Sequence, residues 1–204
     1  AALCRKADRV IADGERKSLH ITEKNLKEYL GIPKFELESW DLQPQEGIVT
    51  GLAWTSVGGD TLSIEVSLLP GSGKLELTGN LGDVMKESAQ IAVSCVRAMT
   101  GKDILKKQDI HIHVPEGAVP KDGPSAGITM TTAIYSAVTK QKVRGDIAMT
   151  GEVTLRGRVL PIGGLKEKLL AARNHGMNEV LVPSRNRKDV EELDREILGT
   201  MTIT

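Results

Sequence analysis

The stretch from residue 109 to residue 138 constrains the fold of this chain more than any other. DIHIHVP alternates strictly between polar and apolar residues, the pattern of a half-buried strand. PEGAVPKDGPSAG, which follows, has no period, and ITMTTAIYSAV is apolar enough for a buried helix. A strand that runs through an irregular loop into such a helix belongs to a mixed α/β sheet. The order also puts a small nucleophile, Ser125, at the helix N-terminus. There the first backbone N–H groups lack intrahelical partners and the dipole is positive, which suits an oxyanion beside the serine oxygen. Gly123 and Gly127 are expected to keep the approach open for a substrate backbone.

Around this unit the patterns change in an orderly way. Residues 1–12 read as one helix, and Thr22 is expected to cap a second, EKNLKEYL, ended by Gly31 and Pro33. Residues 34–46 are polar and irregular, so the domain boundary falls there, with 1–36 a small helical unit, 37–46 a linker and 47–204 the main domain. GIVTGLAWTS, TLSIEVSLL and KLELTG read as an antiparallel meander, and LGDVMKESAQIAVSCVRAMT as a long helix over the sheet that Gly101 ends. DIAMTG, a hairpin-like EVTLRGRVLP, a helix near 164–175, the strand EVLVP and the charged helix DVEELDREIL follow, without an internal repeat. The chain opens in mid-helix without methionine and closes on the strand-like MTIT, so a piece of a longer protein is expected.

Composition narrows the partners. Lys plus Arg and Asp plus Glu are equal at 27 each, so no global field favours nucleic acid or an anionic membrane. No apolar run reaches the roughly eighteen residues of a membrane span, and no secretion signal is visible, so a soluble protein is expected. Cys4 and Cys95 lie in helical patterns without metal-like spacing, so both are expected as buried small residues of a reducing compartment.

Ser125 is useless as a nucleophile without a base, because a hydroxyl's intrinsic pKa is high. Without one, DGPS is simply a surface turn with an N-cap serine. Of the histidines, His20, His111, His113 and His175, none is placed for a triad. His111 and His113 share a strand face, but no further ligands accompany them at metal-like spacing, so structural roles, or roles supporting the Ser125 loop from behind, are expected. A lysine serves as base when burial lowers its pKa to about 7–8. GGLKEKLLAA offers Lys166 and Lys168, and amphipathicity does not separate them: Lys168 shares a face with Leu165, Ala171 and Ala172, Lys166 with Leu169 and Leu170.

PKDGPSAG, preceded by HIHVPEGA and followed by TGEVTLRGRVLPIGGLKEKLLAA, resembles the proteolytic domain of the Lon proteases, and the resemblance runs from about Gly47 onward. Residues 1–36 resemble the end of an AAA+ helical subdomain. The resemblance implies a mixed α/β, ribosomal protein S5 domain 2-like fold, with Ser125 as nucleophile and Lys168 as base. It implies support from Thr150, Glu152 and Asp122, and a substrate groove involving Trp54, Pro115, Glu116, Gly117 and Ala118. It further implies an ATP-dependent serine endopeptidase that degrades misfolded, damaged and regulatory proteins, assembles as a homohexamer, and works in the bacterial cytoplasm or, as a second option, the mitochondrial matrix.

ATP and magnesium would belong to an ATPase module outside this chain. G-x-x-x-x-G-K-[ST] does not occur, and GSGK at 71–74 reads as a hairpin turn. The segment between Arg97 and Asp109 is a few residues shorter than the family pattern. The alternative from another class is a non-catalytic Lon-like scaffold, against which stands the presence of both Ser125 and Lys168. Direct nucleic-acid binding lacks an arginine-rich stripe.

Overall fold

Strand pairing, rather than strand order along the chain, determines what sits beside Ser125. The computed structural model describes residues 2–14, 20–22, 24–31, 42–55, 58–101, 106–193 and 198–204. They fall into two units, Ala1–Glu38 and Ser39–Thr204.

The first unit carries α1 (Ala2–Ala12) and α2 (Leu26–Leu30). Thr22 does not cap α2. The helix begins later, after Asn25, whose side-chain carbonyl accepts from the Thr22 amide at 2.7 Å. Cys4 is exposed on α1, contrary to the expectation of burial, because it lies off the half-buried stripe of Leu3, Ala7 and Val10; Cys95 is buried. Residues 32–41, which include the first half of the expected linker, lie outside the described residues, as do 102–105 in the short 97–109 segment.

The second unit is built on a seven-stranded sheet. In chain order its strands are β1 (Ile48–Thr55), β2 (Gly58–Pro70), β3 (Leu75–Thr78), β4 (Gln108–His113), β5 (Ile147–Met149), β8 (Glu179–Leu181) and β9 (Thr202–Ile203). In space they run β3-β4-β2-β1-β5-β8-β9, and β6 (Glu152–Val153) pairs with β7 (Val159–Leu160) in a separate ribbon. The expected meander holds for β1 and β2, which pair antiparallel, but not for β3. β4 lies between β2 and β3, antiparallel to β2 and parallel to β3. A parallel neighbour needs a crossover, which α3 (Asp83–Thr100) supplies. The Asp109 carboxylate accepts from the amides of Ser72, Gly73 and Lys74 at 2.9, 2.8 and 2.7 Å. GSGK is thus tied to the start of β4 and does not close a hairpin. These amides, Lys74 first, hold the Asp109 carboxyl below the ordinary carboxylate range.

The two faces of the sheet have separate cores. On one, Val49, Ile64, Ile110 and Ile112 pack against Met85, Ala89, Ala92 and Val96 of α3 and Met130, Ala133 and Ile134 of α4 (Gly127–Thr139). The α3 residues recur at helical spacing, and Gly101 ends the helix at a left-handed φ of 62°. On the other face, Leu52, Ala148 and Val180 meet Leu165, Leu169 and Ala172 of α5 (Leu165–Asn174). The charged C-terminal helix is short, α6 (Arg187–Glu191), and 194–197 lie outside the described residues.

Candidate active site

α5 carries its charge inward. Leu165, Lys168, Leu169 and Ala172 fall at i, i+3, i+4 and i+7, one stripe of a helix, and all are buried against the sheet. Lys166 points to solvent. The helix sits close because Gly59 on β2 lacks a side chain: a Cβ there would lie 2.0 Å from the Glu167 carbonyl oxygen and 2.9 Å from the Lys168 nitrogen. Lys168 is 2 % exposed. Burial penalises the ammonium and pushes its pKa from 10.5 down to about 8.

One hydroxyl joins this lysine to the serine loop. Lys168 Nζ donates to Thr150 Oγ1 at 3.1 Å, and Thr150 Oγ1 donates its single proton to the Ser125 carbonyl oxygen at 3.4 Å. Thr150, directly after β5, is itself 1 % exposed. Two backbone bonds run beside this bridge, Gly151 N–H to the Ser125 carbonyl at 2.8 Å and Ile128 N–H to the Gly151 carbonyl at 3.0 Å. They clamp the chain leaving β5 onto the turn that carries the serine.

Ser125 is half-buried within a 3-10 turn, Pro124–Ala126, that runs into α4. The N-cap position of α4 is Ala126, and neither helical start has a side-chain cap bond. The hydroxyl is therefore not spent on capping, as a simple surface turn would require. Gly127 does not serve openness, contrary to expectation. A Cβ on it would lie 2.9 Å from the Val153 nitrogen, so this glycine lets α4 pack against β6. Gly123, at φ 124°, does face open space.

The other predicted residues lie at varying distance from this bridge. The Asp122 carboxylate accepts from the amides of Met85 and Gly123, both at 2.9 Å, and so caps α3 from across the loop. Glu152 is half-buried in β6 opposite Leu160. Pro115 is half-buried and Glu116, Gly117 and Ala118 are exposed in the loop after β4. Trp54, 61 % exposed at the end of β1, lies against Gly164, the residue before α5. His111 Nε2 and His113 Nδ1 share the Thr78 hydroxyl at 2.9 and 2.7 Å, and His175 Nδ1 meets the Ala171 carbonyl, so these contacts are with strand and helix partners rather than with Ser125. Among the described residues no cluster of three or more His, Cys, Asp or Glu side chains could hold a metal ion.

Two residues of this region gave no sequence signal. Gly59 reads as part of a Gly-Gly-Asp turn, although it lies in β2 beneath α5. Lys121 stands in a loop without a period that could place its side chain, yet its ammonium is turned on the loop's own carbonyls.

Comparison with known proteins matches residues 20–204 to the family model of the Lon protease (S16) C-terminal proteolytic domain. A Lon protease of Lachnoclostridium phytofermentans is 56 % identical over 203 residues, covering 97 % of this chain and 25 % of the relative. Lon protease 1 of Bacillus subtilis is 56 % identical over 207 residues, 99 % of this chain and 27 % of the relative. The Lon protease of Erwinia amylovora is 53 % identical over 207 residues, 98 % and 26 %. The chain thus spans about a quarter of the length of these relatives.

Proposed function

This chain belongs to the Lon protease (S16) C-terminal proteolytic domain family, a family of serine proteases, and we propose that Ser125 is its nucleophile and Lys168 its general base in peptide-bond hydrolysis. The observation that carries this reading is the buried Lys168 with a pKa of about 8, joined through Thr150 to the Ser125 backbone. Near neutral pH such an amine is partly unprotonated and accepts a proton, which a solvated lysine does not.

In the proposed reaction neutral Lys168 takes the Ser125 proton as Oγ bonds to the peptide carbonyl carbon. Backbone N–H groups at the start of the 3-10 turn hold the oxyanion. The C–N bond then breaks, and the Lys168 ammonium returns its proton to the departing amine. Water, deprotonated by Lys168, then attacks the acyl carbon, and the Lys168 ammonium returns that proton to Ser125 Oγ as the ester bond breaks. Thr150 holds the amine, Asp122 fixes the loop through α3, and Glu152 lines the site from β6.

An extended substrate fits along β1. Its ladder with β2 runs to Thr55, whereas its pairing with β5 covers just Thr50 and Gly51. The β5 side of residues 53–55 is the edge along which a peptide strand would add. Trp54 and the 115–118 loop would flank that strand. We extend the proposal to the whole protein: an ATP-dependent endopeptidase of unfolded and damaged proteins, homohexameric, in the bacterial cytoplasm, with ATP and magnesium used by a separate module and no nucleic-acid role for this chain. Among the described residues no helix is long and apolar enough to cross a membrane.

A peptide boronate tests the dyad, since it forms a tetrahedral adduct with an activated serine. It should raise the melting temperature of the full-length protein, and the rise should be lost in Ser125→Ala and Lys168→Ala. Equal rises in all three would remove Ser125 from the mechanism.

A further inference from the structure

The loop between β4 and Ser125 is held from within by one lysine. Lys121 Nζ donates to the carbonyl of Glu116 at 2.6 Å, to that of Val119 at 3.1 Å and, at 3.5 Å, to that of Gly79. Its backbone continues the connection: the Lys121 amide donates to the Asn80 carbonyl at 3.0 Å, and the Gly82 amide to the Lys121 carbonyl at 2.7 Å. One residue thus closes the 116–119 turn on itself and ties it to the segment between β3 and α3.

Two backbone conformations need such a tie. Glu116 has φ 62° and Asn80 φ 59°, left-handed values that residues with a side chain keep where their surroundings impose them. Glu116 supplies a carbonyl to the Lys121 ammonium and Asn80 one to its amide. The Val119 amide closes the same turn on the Glu116 carbonyl at 3.0 Å. Glu116–Pro120 are exposed, so no hydrophobic packing does this work instead.

We infer that Lys121 is a positioning residue for substrate: its ammonium sets the 115–119 loop as a wall of the groove that leads to Ser125, four residues on. This rests on Ser125 being the nucleophile. Without the ammonium the exposed carbonyls turn to water, so the wall loosens while the fold and the buried Lys168–Thr150 pair persist. The loss then falls on binding of extended substrates rather than on the reactivity of the serine.

The test compares Lys121→Met and Lys121→Arg with the parent in the full-length protein. Lys121→Met should raise KM for a ten-residue peptide about tenfold, with kcat and the pH midpoint of kcat changed less than about twofold. Lys121→Arg, which still presents several donors to the carbonyls, should recover most of the KM. Amide exchange at Val119 should quicken in Lys121→Met and return in Lys121→Arg. An unchanged KM, or a loss confined to kcat, overturns the inference, as does unchanged exchange at Val119. If Ser125→Ala keeps full peptidase activity, the dyad reading fails instead, and the exchange measurement still judges the tie.

Discussion

Replacing Lys168 by methionine should stabilise the protein near neutral pH, and the gain should disappear in alkali. The folded-state pKa of about 8 lies below the unfolded value of 10.5. Below pH 8 both states carry the proton, and the folded state bears the whole cost of a buried ammonium. Between pH 8 and 10.5 the unfolded chain binds the proton and the folded one does not, so stability rises with pH across this window and levels off above it. At about 1.4 kcal/mol per pH unit the cost at pH 7 is about 3 kcal/mol. Methionine keeps the apolar length and removes the charge, at the loss of the bond to Thr150, worth about 1 kcal/mol. A net gain of about 2 kcal/mol at pH 7 corresponds to a melting temperature higher by about 4–8 °C in a domain of this size. At pH 10.5 the difference should vanish or reverse by about the value of the lost bond. Calorimetry of both proteins at pH 7 and pH 10.5 reads this directly. A variant less stable than the parent at pH 7, or a difference independent of pH, would refute the argument that burial depresses this amine.

If the proposed dyad operates, the same amine governs the pH dependence of catalysis: kcat/KM for a peptide should climb through about pH 8, and a profile flat from pH 7 to 9 would count against a lysine base. Thr150→Val removes the acceptor that favours the ammonium, so the midpoint should move below that of the parent while activity falls about tenfold or more; an upward movement would contradict the direction of the Lys168–Thr150 bond. Gly59→Ala drives a methyl to 2.0 Å from the Glu167 carbonyl and should displace α5, costing about 3 kcal/mol in urea unfolding and most of the activity; a neutral substitution would show that α5 is not held where it appears.

How much of this was legible in the residues varies with the range of the interaction. α3 and α4 and the strands β1, β2 and β4 follow from period and from Gly101, because each is fixed by its own apolar face. The pairing of β3 with β4 was not legible: a short strand beside a Gly-rich turn reads as a hairpin arm, and what decides otherwise is an aspartate 35 residues further on. Gly127 was legible as a glycine near Ser125 but not as a contact surface, since Val153 approaches it from another element. The inward Lys121 and the exposed Cys4 are likewise statements about neighbours that local pattern does not contain.

By itself the sequence determined the elements, the placing of a serine at the entrance to a buried helix, and a lysine pair near the start of another. What tertiary structure decided is which lysine is buried. A helical wheel ranks faces by apolar content, but the pKa of an amine depends on what excludes water from it, and that is the sheet beneath α5, brought close by Gly59 on a strand more than a hundred residues earlier. Thr150 meets both Lys168 and the Ser125 loop because β5 pairs with β1 and β8, an arrangement of strands that is set by long-range packing.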